Sequence, residues 1–257
     1  MIFTIAAKEL KALFASPLAW IVLTLTQLIV SYGFLQRIDD FVELQPQLAE
    51  TPNAPGVTAL VAAPVYATLA VVMLFAVPLL AMRLIAEERR NQTMVLLVSA
   101  PLSITEIVLG KFLGLMLFLL LAIGIITLMP LALLLGGRLD FGLLASLLIG
   151  SVLLTASFAA VGFYASALTA QPIIAALIGF GSLLIMLLLV GVNAADGLRE
   201  HGWTVAADFV QVLSPLNNFD PFARGMFDSY SAVCLLLLVI AFLTLTIRRL
   251  DAARLGA

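Results

Sequence analysis

Glu87-Glu88-Arg89-Arg90 is the only run of four consecutive charges in this chain, and it lies between two long stretches, Pro64–Met82 and Phe112–Gly137, that carry no charge. A charge at the centre of a bilayer costs about 2.5–3.5 kcal/mol even on the mildest scale. Four together must therefore lie outside the hydrocarbon. The connection from Arg83 to Lys111, 29 residues long, reads as a polar platform held at a membrane surface.

The rest of the composition agrees with that reading. Of 257 residues, 63% are hydrophobic and 11% charged, with a mean hydropathy of +1.18. Soluble domains carry roughly 25% charged residues, so this is an integral membrane protein. A span needs about 20 apolar residues to cross about 30 Å of hydrocarbon. Spans consume most of the chain and leave no room for a soluble catalytic domain. The formal net charge of −2 gives no reason to expect nucleic acid as a partner. Cys234 is the single cysteine and reads as a small core hydrophobe. His201 is the single histidine, so no His-based metal cluster is expected.

Six charge-free stretches are long enough to cross: residues 17–36, 64–82, 112–137, 141–171, 172–195 and 229–247. A spanning segment must satisfy its own backbone hydrogen bonds, and barrel-type alternation is absent, so all six are expected to be helices. The expected fold is all-α: a single polytopic domain over residues 1–257. The first 35 residues lack a small-x-small cleavage pattern and read as an uncleaved first span.

An even number of spans places both termini on one side. That side carries Lys8, Lys11, Arg83, Arg89, Arg90, Lys111, Arg248, Arg249 and Arg254, and the other carries Arg37, Arg138, Arg199 and Arg224. The split of nine to four puts both termini, and the platform, in the cytoplasm.

Three segments outside the spans have a pattern. In residues 1–16, Phe3, Ala6, Leu10 and Leu13 share one helical face and Thr4, Lys8 and Lys11 another, as in an interfacial helix. On the outer side, residues 37–63 are acidic and Pro-rich and read as an irregular loop. Residues 193–228 suit two short outer helices. Trp203, Ala207, Val210 and Leu213 share a face, Ser214-Pro215 ends the first helix, and Asp220-Pro221 has the form of a cap followed by a first-turn proline.

Within the platform, Arg83–Val98 reads as a helix that Pro101 stops, and Ser103-x-x-Glu106 as a capping box for the next helix. The apolar turn Thr93, Met94, Leu96 and Leu97 lies beside Glu87, Glu88, Arg89 and Arg90. A purely solvated loop would not be this apolar, so these eight residues are the candidate docking surface for a cytoplasmic partner. The spans contain no acidic, basic or His residue to relay protons, which disfavours a coupled carrier and intramembrane hydrolysis. Leu109-Gly110-Lys111 lacks the upstream glycine of a phosphate-binding loop, and Phe112 stands where Ser or Thr is required. ATP binding by this chain is rejected. Polar and small residues in the spans (Thr24, Gln27 and Ser31; Ser151 and Thr155; Gly179, Gly181 and Ser182; Gly110-x-x-x-Gly114) suit interhelical packing. Spans one and five, with Thr24, Gln27, Ser31, Gly179, Gly181 and Ser182, are the candidate border of a dimer seam or pathway.

This order of parts resembles the type-2 ABC exporter permeases, the ABC-2 superfamily. The segment Glu87 to Ser103 resembles that family's acidic-basic residues, leucine run and Pro-x-Ser, although Gln92 replaces a frequent Gly and Met94 and Val95 occupy positions that often include Glu. Ile107 to Phe112 resembles the start of its third span. Leu213 to Asp228, with Ser214-Pro215, Phe219, Arg224-Gly225 and Asp228, resembles the gliding-motility and copper/nitrous-oxide-associated branch.

The resemblance implies a permease with no enzymatic activity and no cofactor of its own. ATP-Mg would sit on separate ABC ATPase subunits that grip the coupling helix after span two. Two permeases, identical or related, would pair in membrane lipid, with a substrate-specific accessory protein as a further partner. Trp203, Pro215, Phe219 and Arg224 mark the outer helices. A different class of function shares the platform: a non-transporting scaffold that anchors a cytoplasmic partner or an envelope machine. No residue selects a cargo, though the charge-free spans favour a hydrophobic or lipid-linked substrate over a small ion.

Overall fold

A computed structural model describes residues 1–50, 55–92, 103–135, 139–191, 197–199 and 201–255. Helix α1 (Ile2–Phe14) precedes α2 (Pro17–Glu50). A π-helical turn, Thr58–Ala62, runs into α3 (Ala63–Ala81), and α4 (Arg83–Arg90) follows after a break at Met82. Then come α5 (Ile104–Ala132), α6 (Phe141–Leu168), α7 (Pro172–Gly191), α8 (Thr204–Val212), α9 (Pro215–Ala223) and α10 (Ser229–Leu255). Five helical stretches are long and apolar enough to cross a membrane: Pro17–Gln47, Thr58–Arg90, Ile104–Ala132, Phe141–Leu168 and Ser229–Ala253. The apolar helix α7 is shorter.

Helix α6 is the centre of the bundle and packs against α3, α5, α7, α9 and α10. Its composition explains why. Ser146, Ser151, Thr155, Ser157 and Ser166 are all buried, and small residues let helix backbones approach closely. Their hydroxyls are satisfied locally or across the contact. Ser151 donates to the Leu148 carbonyl at 2.8 Å and Ser157 to that of Leu153 at 2.9 Å, while Ser146 reaches across to the Phe222 carbonyl of α9 at 3.1 Å. Gly150 makes this last contact possible: a Cβ there would lie 2.5 Å from Cβ of Phe222.

Several local expectations need correction. Residues 37–50 are helical, a continuation of α2 rather than an irregular loop. Arg37 and Asp40 pair at i,i+3 (3.2 Å). Pro46 lies within the helix and removes one backbone bond, to the carbonyl of Val42, a residue on the exposed side where water can replace it. Asp220 is not a cap. Helix α9 starts five residues before it, at Pro215, and Asp220 pairs with Arg224 at 2.7 Å. Buried Phe219 and Phe222 against α6 fix that register. Trp203 is exposed together with Val205 and Phe209, and Ala207 is the buried residue of α8. On α1 the packed face is Ala6, Glu9 and Leu13, and Phe3 points outward.

Helix starts follow expected chemistry. Ser103 and Glu106 form a reciprocal capping box on α5. Asp140 accepts from the Gly142 and Leu143 N–H groups at the start of α6. Asp228 caps α10, accepting from the Ser231 hydroxyl (2.6 Å), the Ser231 N–H (3.1 Å) and the Tyr230 N–H (3.3 Å). The Ser231 hydroxyl, then its N–H, hold the Asp228 carboxyl below the usual carboxylate range. A lowered folded-state value stabilises above the unfolded carboxyl's titration and loses that effect as pH falls through the lowered value. Asp228→Asn is therefore expected to lower the melting temperature at neutral pH, with the difference from wild type vanishing in acid. Thermal unfolding of both proteins across pH measures it.

Candidate functional site

The platform begins where α3 stops. Pro78 lies within α3 and Met82 breaks it. The residues that follow, Leu84, Ile85 and Ala86, are buried, so water cannot serve the backbone donors that start α4. Ser166 of α6 serves them instead. Its hydroxyl accepts from the Ile85 N–H (3.1 Å) and the Ala86 N–H (3.0 Å) and donates to the Met82 carbonyl (2.8 Å). A side chain inserted in this way is one of the recognised causes of a helix bend. The break at Met82 is seated on glycines. A Cβ on Gly162 would lie 3.0 Å from Cβ of Ala81, and one on Gly179 of α7 would lie 3.4 Å from Cβ of Pro78.

A second set of contacts ties α4 to α1 and α5. Lys111, in the second turn of α5, is 2% exposed. Its ammonium donates to Glu9 Oε1 at 2.7 Å and to Glu88 Oε1 at 2.8 Å. An enclosed ammonium is tolerated only when such partners replace water. Two flanking glycines admit α1 to this depth. A Cβ on Gly110 would lie 2.7 Å from Cβ of Ile5, and one on Gly114 would lie 2.6 Å from Cβ of Glu9. Arg83 adds a third link. It makes a bidentate pair with Glu87 (2.6 and 3.0 Å) and also donates to Ser16 between α1 and α2. Between these groups lies a cavity of about 290 Å³, lined by Lys8, Glu9, Arg83, Glu87, Glu88 and Lys111 among others.

The residues singled out by sequence thus divide. Glu88 turns inward to Lys111, while Glu87 pairs with Arg83 at the half-exposed edge of the platform. Arg89 feels the charge of Arg249 near the end of α10, and Arg90 is exposed. Thr93, Met94, Leu96, Leu97 and the stop at Pro101 lie outside the described residues. Thr24 is exposed, and Ser31 donates to the Met129 sulfur at 3.8 Å, while Gln27 is half-buried. Gly179 is buried inside the chain, Gly181 faces open space, and Ser182 donates back to the Gly179 carbonyl. Pro215 and Phe219 are buried in α9, and Trp203 and Arg224 are exposed.

Sequence reading missed Glu9, Ser16, Arg83, Lys111 and Ser166 as a connected set. One signal was present: Lys111 sits between the two glycines of Gly110-x-x-x-Gly114, and a charge beside a helix-packing motif must be met by whatever packs there. Ser166 carried no such signal. Among the described residues no three His, Cys, Asp or Glu side chains gather as a metal site.

Removing the Ser166 hydroxyl strands two buried N–H groups and a carbonyl. Ser166→Ala is expected to cost about 1–3 kcal/mol and to raise amide hydrogen exchange at Ile85 and Ala86 above that elsewhere in the bundle. Exchange mass spectrometry in detergent or nanodiscs reads this directly.

A search of curated proteins finds no match to this chain. A family model described as "ABC-2 family transporter protein" matches residues 3–255, nearly the whole length. The chain belongs to the ABC-2 transporter family, which makes it the membrane component of an ABC transporter.

Proposed function

We propose that this chain is the permease subunit of an ATP-driven transporter, with hydrolysis on separate ABC ATPases that grip the platform from the cytoplasm. The observation that carries this reading, beside family membership, is how the platform is fastened. Helix α4 is joined to α6 through Ser166, to α5 and α1 through Glu88 and Lys111, and to the α1–α2 hinge through Arg83 and Ser16. A push on α4 therefore reaches several long helices at once. Six spans with α7 as the fifth, both termini in the cytoplasm of the inner membrane, and Glu87 to Ser103 as the coupling segment complete the arrangement. Glu88 acts there from within, as an anchor, with Glu87 at the platform's edge, and Arg90 with Met94, Leu96 and Leu97 forms the gripping surface.

A second permease, identical or related, pairs through α2 and α7. The exposed faces of these helices support this. In α2 only 22% of the spanning window is buried inside the chain, against 67% for α6. Trp20, Leu28 and Tyr32 of α2 and Ile173, Leu177 and Ile185 of α7 are all exposed. Thr24 and Gly181 belong to these outer faces, whereas Ser31 and Gly179 pack within the subunit. The resemblance of Leu213–Asp228 to the gliding-motility and copper/nitrous-oxide-associated branch rests on that motif alone.

Co-expression with a candidate ABC ATPase from the same organism tests the assignment. Arg90→Glu combined with Leu96→Asp is expected to abolish co-purification and ATPase stimulation at unchanged permease yield. Intact binding by that variant would remove the docking assignment. Cross-links between paired α2 helices that do not change with ATP would point to a static scaffold instead.

A further inference from the structure

We propose that Lys111, held between Glu9 and Glu88, is a positioning residue that locks α1, α4 and the base of α5 into one rigid unit. The proposal rests on the permease reading for its consequence: this unit would carry movement of the platform into α5. Three observations support it. First, the cluster joins segments distant in sequence, 102 residues from Glu9 to Lys111 and 23 from Glu88 to Lys111. Secondly, burial alone does not call for charge here. Replacing a buried ion cluster by apolar side chains of similar volume is often neutral or stabilising, and the best-attested use of such clusters is to fix register. Thirdly, the contact between α1 and α5 needs such a device. At Gly110 and Gly114 the backbone of α5 lies against Ile2, Ile5, Ala6 and Glu9 of α1. A glycine surface permits close approach but offers no side-chain ridge to interlock, so packing there resists sliding poorly. The ammonium between the two glycines supplies the stop. The half-exposed Arg83–Glu87 pair, four residues apart on one helix, cannot do this: through Ser16 Arg83 ties α4 to the α1–α2 connection and not to α5, and such exposed pairs contribute little.

The test uses the full chain in lipid nanodiscs, in a Cys234→Ala background, with spin labels at the exposed positions Lys8, Arg90 and Thr105. Pairwise distance distributions are measured without nucleotide or partner. Lys111→Met leaves two buried carboxylates facing each other and is expected to fold poorly. The decisive variant is therefore the triple change Glu9→Met, Glu88→Met and Lys111→Met, which keeps volume and removes all charge. At a melting temperature equal to or above that of wild type, its distributions are expected to broaden to about twice the wild-type width, because the helices no longer share one rigid arrangement. Widths equal to wild type would overturn the proposal, since packing alone would then hold the unit.

With the ABC ATPase that co-purifies with the chain and vanadate-trapped ATP, the wild-type distance from Thr105 to a label at exposed Ile173 is expected to shift. The triple variant is expected to lose that shift, and keeping it would overturn the positioning role. A wild-type protein with no shift would sink the permease reading, and the nucleotide-free widths tell that failure apart from failure of the lock.

Discussion

An ammonium shut away from water must be met by opposite charge, and here two helices from different parts of the chain meet it together. Lys111 is the point on which the platform end of the bundle depends. Facing it, the carboxylate of Glu9 turns inward on an otherwise apolar side of α1, and an oxygen of Glu88 on α4 meets the same ammonium. The two glycines beside it set how close α1 can come, and the charge sets where along α5 it stops. Close approach and register are separate problems, solved by different residues within one five-residue stretch.

The two ends of the bundle differ in charge: toward the end opposite the platform the links between long helices are neutral, as between Tyr66 and Thr127 (2.7 Å) and from the Asp140 N–H to Thr58 (2.9 Å). At the platform end the links are polar: an ion cluster, a bidentate arginine and a serine hydroxyl within a backbone ladder. Each has a preferred geometry and loses strength steeply when it is distorted. At the opposite end of α6, α9 is seated by Phe219 and Phe222 against Gly150, with one hydrogen bond from Ser146. Apolar contact of that kind is non-directional. A transporter component that receives force at one end gains from directional ties there, because they carry orientation as well as cohesion.

Much of the fold was legible in the chain, and the reasons are specific. Charge-free runs of sufficient length announced the long helices, since the bilayer leaves few alternatives. Ser103-x-x-Glu106 announced the start of α5, because its two partners are local and need no tertiary information. What escaped depends on partners far away in sequence. Glu9 looked like one charge among several on a basic segment until Lys111, 102 residues later, was placed beside it. Ser166 looked like one more small residue in a packing helix, and its role exists only because α3 breaks opposite it. The outer part of α2 escaped for another reason: acidic and proline-rich composition describes what water tolerates, not what the backbone does. Residues 37–50 are both solvent-compatible and helical.

That outer part gives α2 an unusual proportion. Its 34 residues amount to a rod of about 51 Å at 1.5 Å per residue, whereas the hydrocarbon is about 30 Å thick. Roughly 20 Å of it must stand clear of the hydrocarbon or be taken up by tilt. The rod packs along α3, and its outer part runs beside the π-helical turn and Leu60, so it moves together with the segment that leads into α3. A tilt of about 10° at the base would sweep the far tip through about 9 Å by this geometry, more than the spacing between two packed β-strands. Small rearrangements inside the membrane would thus be displayed, enlarged, above its surface.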